Sequence, residues 1–358
     1  MSARRCLSVA IALAALAAAA ALAAPPRYTI ALVPALPERN TALAALSEGI
    51  AGGSAKLRGA GGSSLGIELR GQHLRTLAAF DGATTTIVQA VNAGGAIAGL
   101  GTPPAGCCAH AFFARGPDAE PQGLFAPGAD NQSWVAGLND AGAMAGAVQQ
   151  APSEPMHAFV ARPGAGVTLI PPLLAGQSGH ATAINASGTV VGAMTVETTR
   201  PAAHAFAWNG GAPVELPMPG AWLADSEAKA INAQGWIVGY AQIPQTNGPA
   251  PTHAVMWRDG AIVDLGFDAD TLATVAWGVN AAGVVVGART RSDGSAHGWV
   301  WVDGAHADLD MLVDGLPAGV TVFDAVAVDE QGRIAVNLED AAHWRRGRGA
   351  ILTPVAGR

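Results

Sequence analysis

The chain has 358 residues, half of them hydrophobic, with 46 Gly, 23 Pro and a formal charge of −7. That composition excludes global disorder and long helices in the body of the chain, and it suits short strands joined by tight turns. Only Lys56 and Lys229 of the 20 basic residues are lysines, and only Arg345, Arg346 and Arg348 cluster, so no basic stripe exists to follow a phosphate backbone and nucleic-acid binding is excluded.

In chain order, residues 1–23 carry Arg4 and Arg5, an Ala/Leu/Val run and the small-x-small triplet Ala21-Leu22-Ala23. This is a signal-peptide pattern, with cleavage expected after Ala23, because a cut one residue later would set Pro25 directly after the scissile bond. An N-terminal membrane anchor is the competing reading. Cleavage leaves no stable membrane span, a net charge of −9 and a secreted or periplasmic domain at 24–358. That domain keeps two cysteines, the neighbours Cys107 and Cys108, which read as a free or locally bridged loop pair.

The domain is a series of repeats. A turn motif, N-x-x-G-x-[hydrophobic]-x-G, starts at Asn92, Asn139, Asn185, Asn232 and Asn280, at steps of 47, 46, 47 and 48 residues, and again at Asp329. A degenerate copy keeps Gly49 and Gly53, which makes seven units. A second motif follows each of the five Asn turns, at His110, His157, His204, His253 and His297; LGIELRG takes its place in the first unit and DAAHWRRG in the last. Atypical end units are usual in repeat arrays. Each unit reads as four short strands: the stretch before the Asn, the one after the turn Gly, the HAFAW-type run, and one such as IVDL.

The Asn, or Asp329, is expected to accept local backbone hydrogen bonds, the fourth-position Gly to take the left-handed conformation, and the last Gly of the motif to permit a bulge or a close backbone approach. Equivalent histidines would sit in different units and are expected to cap backbone groups, not to gather around a metal. The whole pattern, from about residue 28 to 355, resembles the HAF-repeat family of bacterial extracellular proteins, named for the triplet seen at His110, His157 and His204. The resemblance implies export and repeats, and no reaction. Seven units of four strands with a period near 47 predict an all-β fold, a seven-bladed β-propeller of four-stranded blades, with an open β-solenoid or other repeat array as the alternative. Tyr28 to Leu36 reads as an additional strand able to meet the C-terminal strands and close the ring.

Chemistry is sparse. The loops between second and third strands vary most and mark one face for recognition. A second face is expected to carry the acids Asp225, Glu227, Asp268 and Asp270, a weak candidate set for calcium or for acid–base work. No nucleophile elbow, zinc motif, phosphate loop or dinucleotide fingerprint occurs, and no cofactor is expected. The expected function is a non-catalytic binding or scaffolding module for an unknown extracellular or cell-surface protein or glycan; the alternative is a polysaccharide hydrolase or lyase, which requires two or three carboxylates or a His/Tyr pair converging at one mouth of the central channel.

Overall fold

A computed structural model describes residues 25–58, 63–77, 79–103, 108–116, 119–125, 132–162, 164–196, 202–218, 225–243, 251–266, 268–340 and 347–355. The expected leader (1–23), Cys107 and the C-terminal Arg345 and Arg346 lie outside these residues. Cys108 is disulfide-bonded, and its partner also lies outside them.

The repeats fold as antiparallel groups of strands. Unit five is representative: Ser226–Ile231, Ile237–Gln242, Thr252–Arg258 and Ala261–Asp264 pair in sequence order. The first strands of the seven units are Arg39–Ser47, Thr85–Val91, Gln132–Leu138, Gly179–Ile184, Ser226–Ile231, Thr271–Val279 and Val320–Val328. Each touches the first strand of the next unit, and that of unit seven touches that of unit one. Apolar side chains from neighbouring sheets fill the junctions between them, as where Val191 and Ala205 of unit four meet Ala228 and Ile237 of unit five.

Unit seven is assembled from both ends of the chain. Its third strand is Arg348–Pro354, and Tyr28–Leu32 adds antiparallel to it, from Tyr28↔Pro354 to Leu32↔Ala350. This corrects the expected use of DAAHWRRG as the third strand: Asp340 still belongs to the second, Ile334–Asp340. Val313–Asp314 then pairs in parallel with Tyr28–Leu32 as a fifth strand.

The turn motif works through its asparagine. Asn232 Oδ1 accepts the Trp236 N–H at 2.9 Å, and Gly235 closes the turn at φ +84°. The carboxamide nitrogen then donates to the Asn280 carbonyl of the next unit at 3.0 Å. The same donation runs from Asn92 to Asn139, Asn139 to Asn185, Asn185 to Asn232 and Asn280 to Asp329, at 2.9–3.1 Å. All six residues are buried. At Asp329 the requirement inverts. Unit one has a two-residue hairpin of Glu48 and Gly49, both at positive φ, in place of the longer loop. It presents a donor, and Asp329 Oδ2 accepts the Gly49 N–H at 3.2 Å and Arg333 Nε at 2.7 Å.

The motif's last glycine faces a bulge. In unit five the register slips between Ala228 and Ala230, and a Cβ on Gly239 would stand 1.9 Å from the Glu227 carbonyl oxygen, so no side chain fits. The slip leaves Lys229 as the extra residue, on the same side of the strand as Glu227 two positions earlier.

Exchanging the two turn chemistries tests this account. Asn232→Asp loses the donor to the Asn280 carbonyl, and Asp329→Asn turns part of an acceptor toward donors. Each is expected to lower the free energy of unfolding by about 1–3 kcal/mol, read from the urea midpoint, whereas Asn209→Asp, at an exposed position outside the repeated turn motif, serves as the reference.

Candidate functional site

The two loop sets expected on opposite faces lie on one. The connection entering a first strand meets the connection leaving the second: Gln242 N–H donates to Asp225 O at 2.8 Å in unit five, Thr195 to Ser178 O in unit four and Ser292 to Asp270 O in unit six. The Asn turns are at the other end of the same antiparallel strands. The expected division into two acid- and loop-bearing faces is therefore corrected: strand direction alternates, so every second connection emerges on the same side.

The first strands of units four to six bring together a cluster along their length. Glu227 is buried, and its Oε1 lies 2.8 Å from His180 Nε2 and 2.6 Å from Lys229 Nζ, while Tyr240 donates its hydroxyl to Oε2 at 3.2 Å. Lys229 Nζ also stands 5.1 Å from the Trp277 ring of unit six and 5.7 Å from that of Tyr240. Lys229 and Trp277 are each the extra residue of a bulge. The corresponding residues are Ala44, Gln89, Ala136, Thr182 and Val326 in the other units. Two positions earlier, His180 and Glu227 stand where units one, two, three and six have Ala42, Ile87, Trp134 and Val275 and unit seven has Asp324. At these two columns ionisable side chains occur in the adjacent units four and five and, as Asp324 alone, in unit seven.

Burial raises the Glu227 carboxyl, but the His180 hydrogen bond and the charge of Lys229 outweigh it and bring the pKa down to about 2. Tyr240 is driven the other way, first by burial and then by the charge of Glu227 and the bond to it. The pair is held as carboxylate and neutral phenol.

The other sequence-derived acids separate. Asp225 accepts the Ala203 N–H at 2.9 Å, joining the third strand of unit four, Ala202–Trp208, to the entry of unit five. Asp268 and Asp270 are each engaged by an arginine, Arg289 at 3.1 Å and Arg291 at 3.3 Å, and both arginines also reach Asp308 at 2.6 Å. The hydrogen bond from Arg289 holds the Asp268 pKa below the usual carboxylate range. Among the described residues no group of three or more His, Cys, Asp or Glu side chains is arranged to hold a metal ion.

The repeat histidines sit at or near the start of third strands, and three of them meet acids, not the backbone groups expected. His204 Nδ1 is 2.7 Å from Glu215, His253 Nδ1 2.8 Å from Asp264, and His297 Nδ1 2.8 Å from Asp310. His110 and His157 occupy the corresponding places in His110–Ala114 and His157–Arg162. Sequence reasoning singled out Glu227 but missed His180, Lys229, Tyr240 and Trp277. Comparing the bulge column across units would have exposed Lys229 and Trp277, because their siblings are small or uncharged.

No family model matches the chain, and no curated protein matches it in sequence. Solved structures do match. The β-propeller domain of the Trilobed protease from Pyrococcus furiosus superposes at TM-score 0.57 with 10% identity, over 86% of this chain and 94% of that one. A puromycin-hydrolyzing peptidase from Mycobacterium tuberculosis gives 0.56 at 12% identity, over 93% and 56%, and the Pyrococcus horikoshii acylaminoacyl peptidase 0.55 at 11%, over 87% and 50%. The chain spans only about half the length of these two peptidases. At such identities the likeness concerns the fold alone. The fold is a β-propeller, which sets aside the β-solenoid alternative. No helix among the described residues is long and apolar enough to cross a membrane.

The cluster predicts a pH signature. A carboxyl whose folded pKa lies below its unfolded value stabilises above the unfolded value and loses that contribution as pH falls through the folded one. The melting temperatures of the wild type and Glu227→Gln, apart at pH 7, are expected to converge as pH drops from about 4.5 to about 2; a constant gap across that window would contradict the assignment.

Proposed function

We propose that this chain is an exported HAF-repeat protein, a seven-bladed propeller closed by its N-terminal strand, and that it acts as a non-catalytic module binding a glycan at the loop-side mouth of its channel. Closure is supported by the pairing of Tyr28–Leu32 with Arg348–Pro354 and by the cyclic order of contacts among the first strands. The ring of Tyr28 is buried at that seam, among Val300, Leu309 and Leu352. Tyr28→Ala is expected to cost about 3–5 kcal/mol, the range for deleting a buried aromatic ring, measured by denaturant unfolding. A loss below about 1 kcal/mol would speak for an open ring.

The binding reading rests on the Glu227 cluster. Polar groups of both signs beside the half-buried Trp277 ring can meet hydroxyls and a sugar face together. A cleft of about 560 Å³ opens on the same side near units seven, one and two, lined by Asn40, Lys56, Asp324 and Asn337 among others, and extends the polar surface. Hydrolysis or elimination would need a group that gains and loses a proton near neutrality. Glu227, held near 2, and Tyr240, held neutral, are poorly matched to that task. His180, on the same carboxylate, is of the residue type that can do so, and product analysis separates binding from the polysaccharide hydrolase or lyase reading.

The test is a glycan array probed with residues 24–358, followed by titration calorimetry and product analysis on any glycan retained. Binding without new reducing ends or unsaturated products is expected, weakened about tenfold by Lys229→Ala or Trp277→Ala. Cleavage products would transfer the protein to the enzyme reading, and retention of protein ligands alone would remove the glycan assignment.

A further inference from the structure

A second site is visible on the opposite side, at the junction between units two and three. In units four, five and six the third strand carries a tryptophan directly opposite the start of the second: Trp208↔Val190, Trp257↔Ile237 and Trp301↔Val285. Each indole packs into the junction with the preceding unit. Trp208 lies among Ala143, Ala158 and Ile184, Trp257 among Val191, Ala205 and Ile237, and Trp301 against Val238, Met256 and Leu265. Trp208 and Trp257 are almost wholly buried.

In unit three the same register position, opposite Met144, is Ala161. The junction it faces is not collapsed. A cleft of about 510 Å³ stands there, lined by Ile97, Phe113, Leu138, Met144, Ala161 and Val167, a size ordinary for a small-molecule pocket. The cleft is therefore an indole place without its indole.

Its rim is charged. Arg115 and Arg162 border it, and neither is salt-bridged to another described residue; their guanidinium groups stand 5.4 Å from the Phe113 ring and 5.9 Å from the Trp208 ring. The acid at the rim, Asp140, already accepts the Ala93 N–H at 2.9 Å. Apolar walls shaped for a flat ring, under two arginines, select an anion with an aromatic body, because a guanidinium pairs readily with a carboxylate and the walls repay burial of the ring.

We infer that the cleft between units two and three binds a small aromatic carboxylate, its ring in the place that Trp208, Trp257 and Trp301 fill at the later junctions and its carboxylate between Arg115 and Arg162. The site is independent of the Glu227 cluster and of the glycan reading: it lies at the Asn-turn end of the strands, where Gly94, Asp140 and Gly142 border it.

Indole-3-acetate, indole and tryptamine are the probes, titrated into residues 24–358 and followed by ligand-observed NMR. Indole-3-acetate is expected to saturate one site at or below about millimolar concentration, indole to bind more weakly and tryptamine most weakly. The double variant Arg115→Gln/Arg162→Gln is expected to weaken indole-3-acetate about tenfold and to leave indole unchanged. Ala161→Trp is expected to abolish binding of all three while keeping or raising the melting temperature; should that variant misfold, Ala161→Leu, which part-fills the cleft, is read in the same way. Absence of saturable indole-3-acetate binding, equal affinity for tryptamine, or full binding by the folded Ala161 variant would each overturn the assignment.

Discussion

The side-chain amide of the turn asparagine holds two things at once. Its oxygen shapes its own turn and its nitrogen reaches the carbonyl of the next turn, so local geometry and the spacing of neighbouring sheets are set by one buried group. Because the group is buried, either bond left unmade would expose an unsatisfied dipole to a weakly polarisable surrounding, and the cost exceeds the gain from the bond itself. The run from Asn92 to Asp329 thus places each first strand against the next in a defined register. At the end of the run the next unit offers a donor where the others offer an acceptor, and a carboxylate replaces the carboxamide.

A scaffold fixed in this way frees other positions to differ. The bulge beside the Gly239 position recurs in sequence as a plain glycine, yet it decides that Lys229 and Trp277 stand on one side of their strands. In most units that side carries small or uncharged residues. Units four and five place a histidine, a glutamate and a lysine within bonding distance instead. The cleft at Ala161 has the same origin: one column is tryptophan in three units and alanine in two earlier ones, Ala114 and Ala161, both of which line the cleft. Individuality in this molecule comes from substitutions at a few columns of a repeated frame.

Much of that frame was legible in the sequence because it depends on short-range chemistry. The Asn oxygen and the left-handed Gly act within five residues, and the third strand of the middle units follows from the HAF-type run. What depends on distant partners was not legible. The donation by Asn232 crosses 48 residues, and its direction cannot be inferred from a turn motif alone. The sequence points the histidines to backbone capping, whereas His253 meets Asp264 through strand pairing that sets the two close together. DAAHWRRG resembles a third strand, but Arg348–Pro354 occupies that place because it can pair on one side with Ile334–Asp340 and on the other with Tyr28–Leu32. Glu227 is visible as an acid; its three partners come from two units and three strands.

The pairing of Tyr28 with Pro354 puts Arg27 and Val355 at the same corner of one sheet, where the Val355 N–H donates to the Arg27 carbonyl. Force applied by pulling these two ends apart would meet the hydrogen bonds of the antiparallel pair one after another, in a peeling geometry, instead of loading them together in shear. Resistance to such tension is set by the single pair nearest the corner and the packing behind it. Tethered by either end, the molecule hangs from a corner on the turn side, beside Gly332 of the unit-seven turn, with the loop side unobstructed.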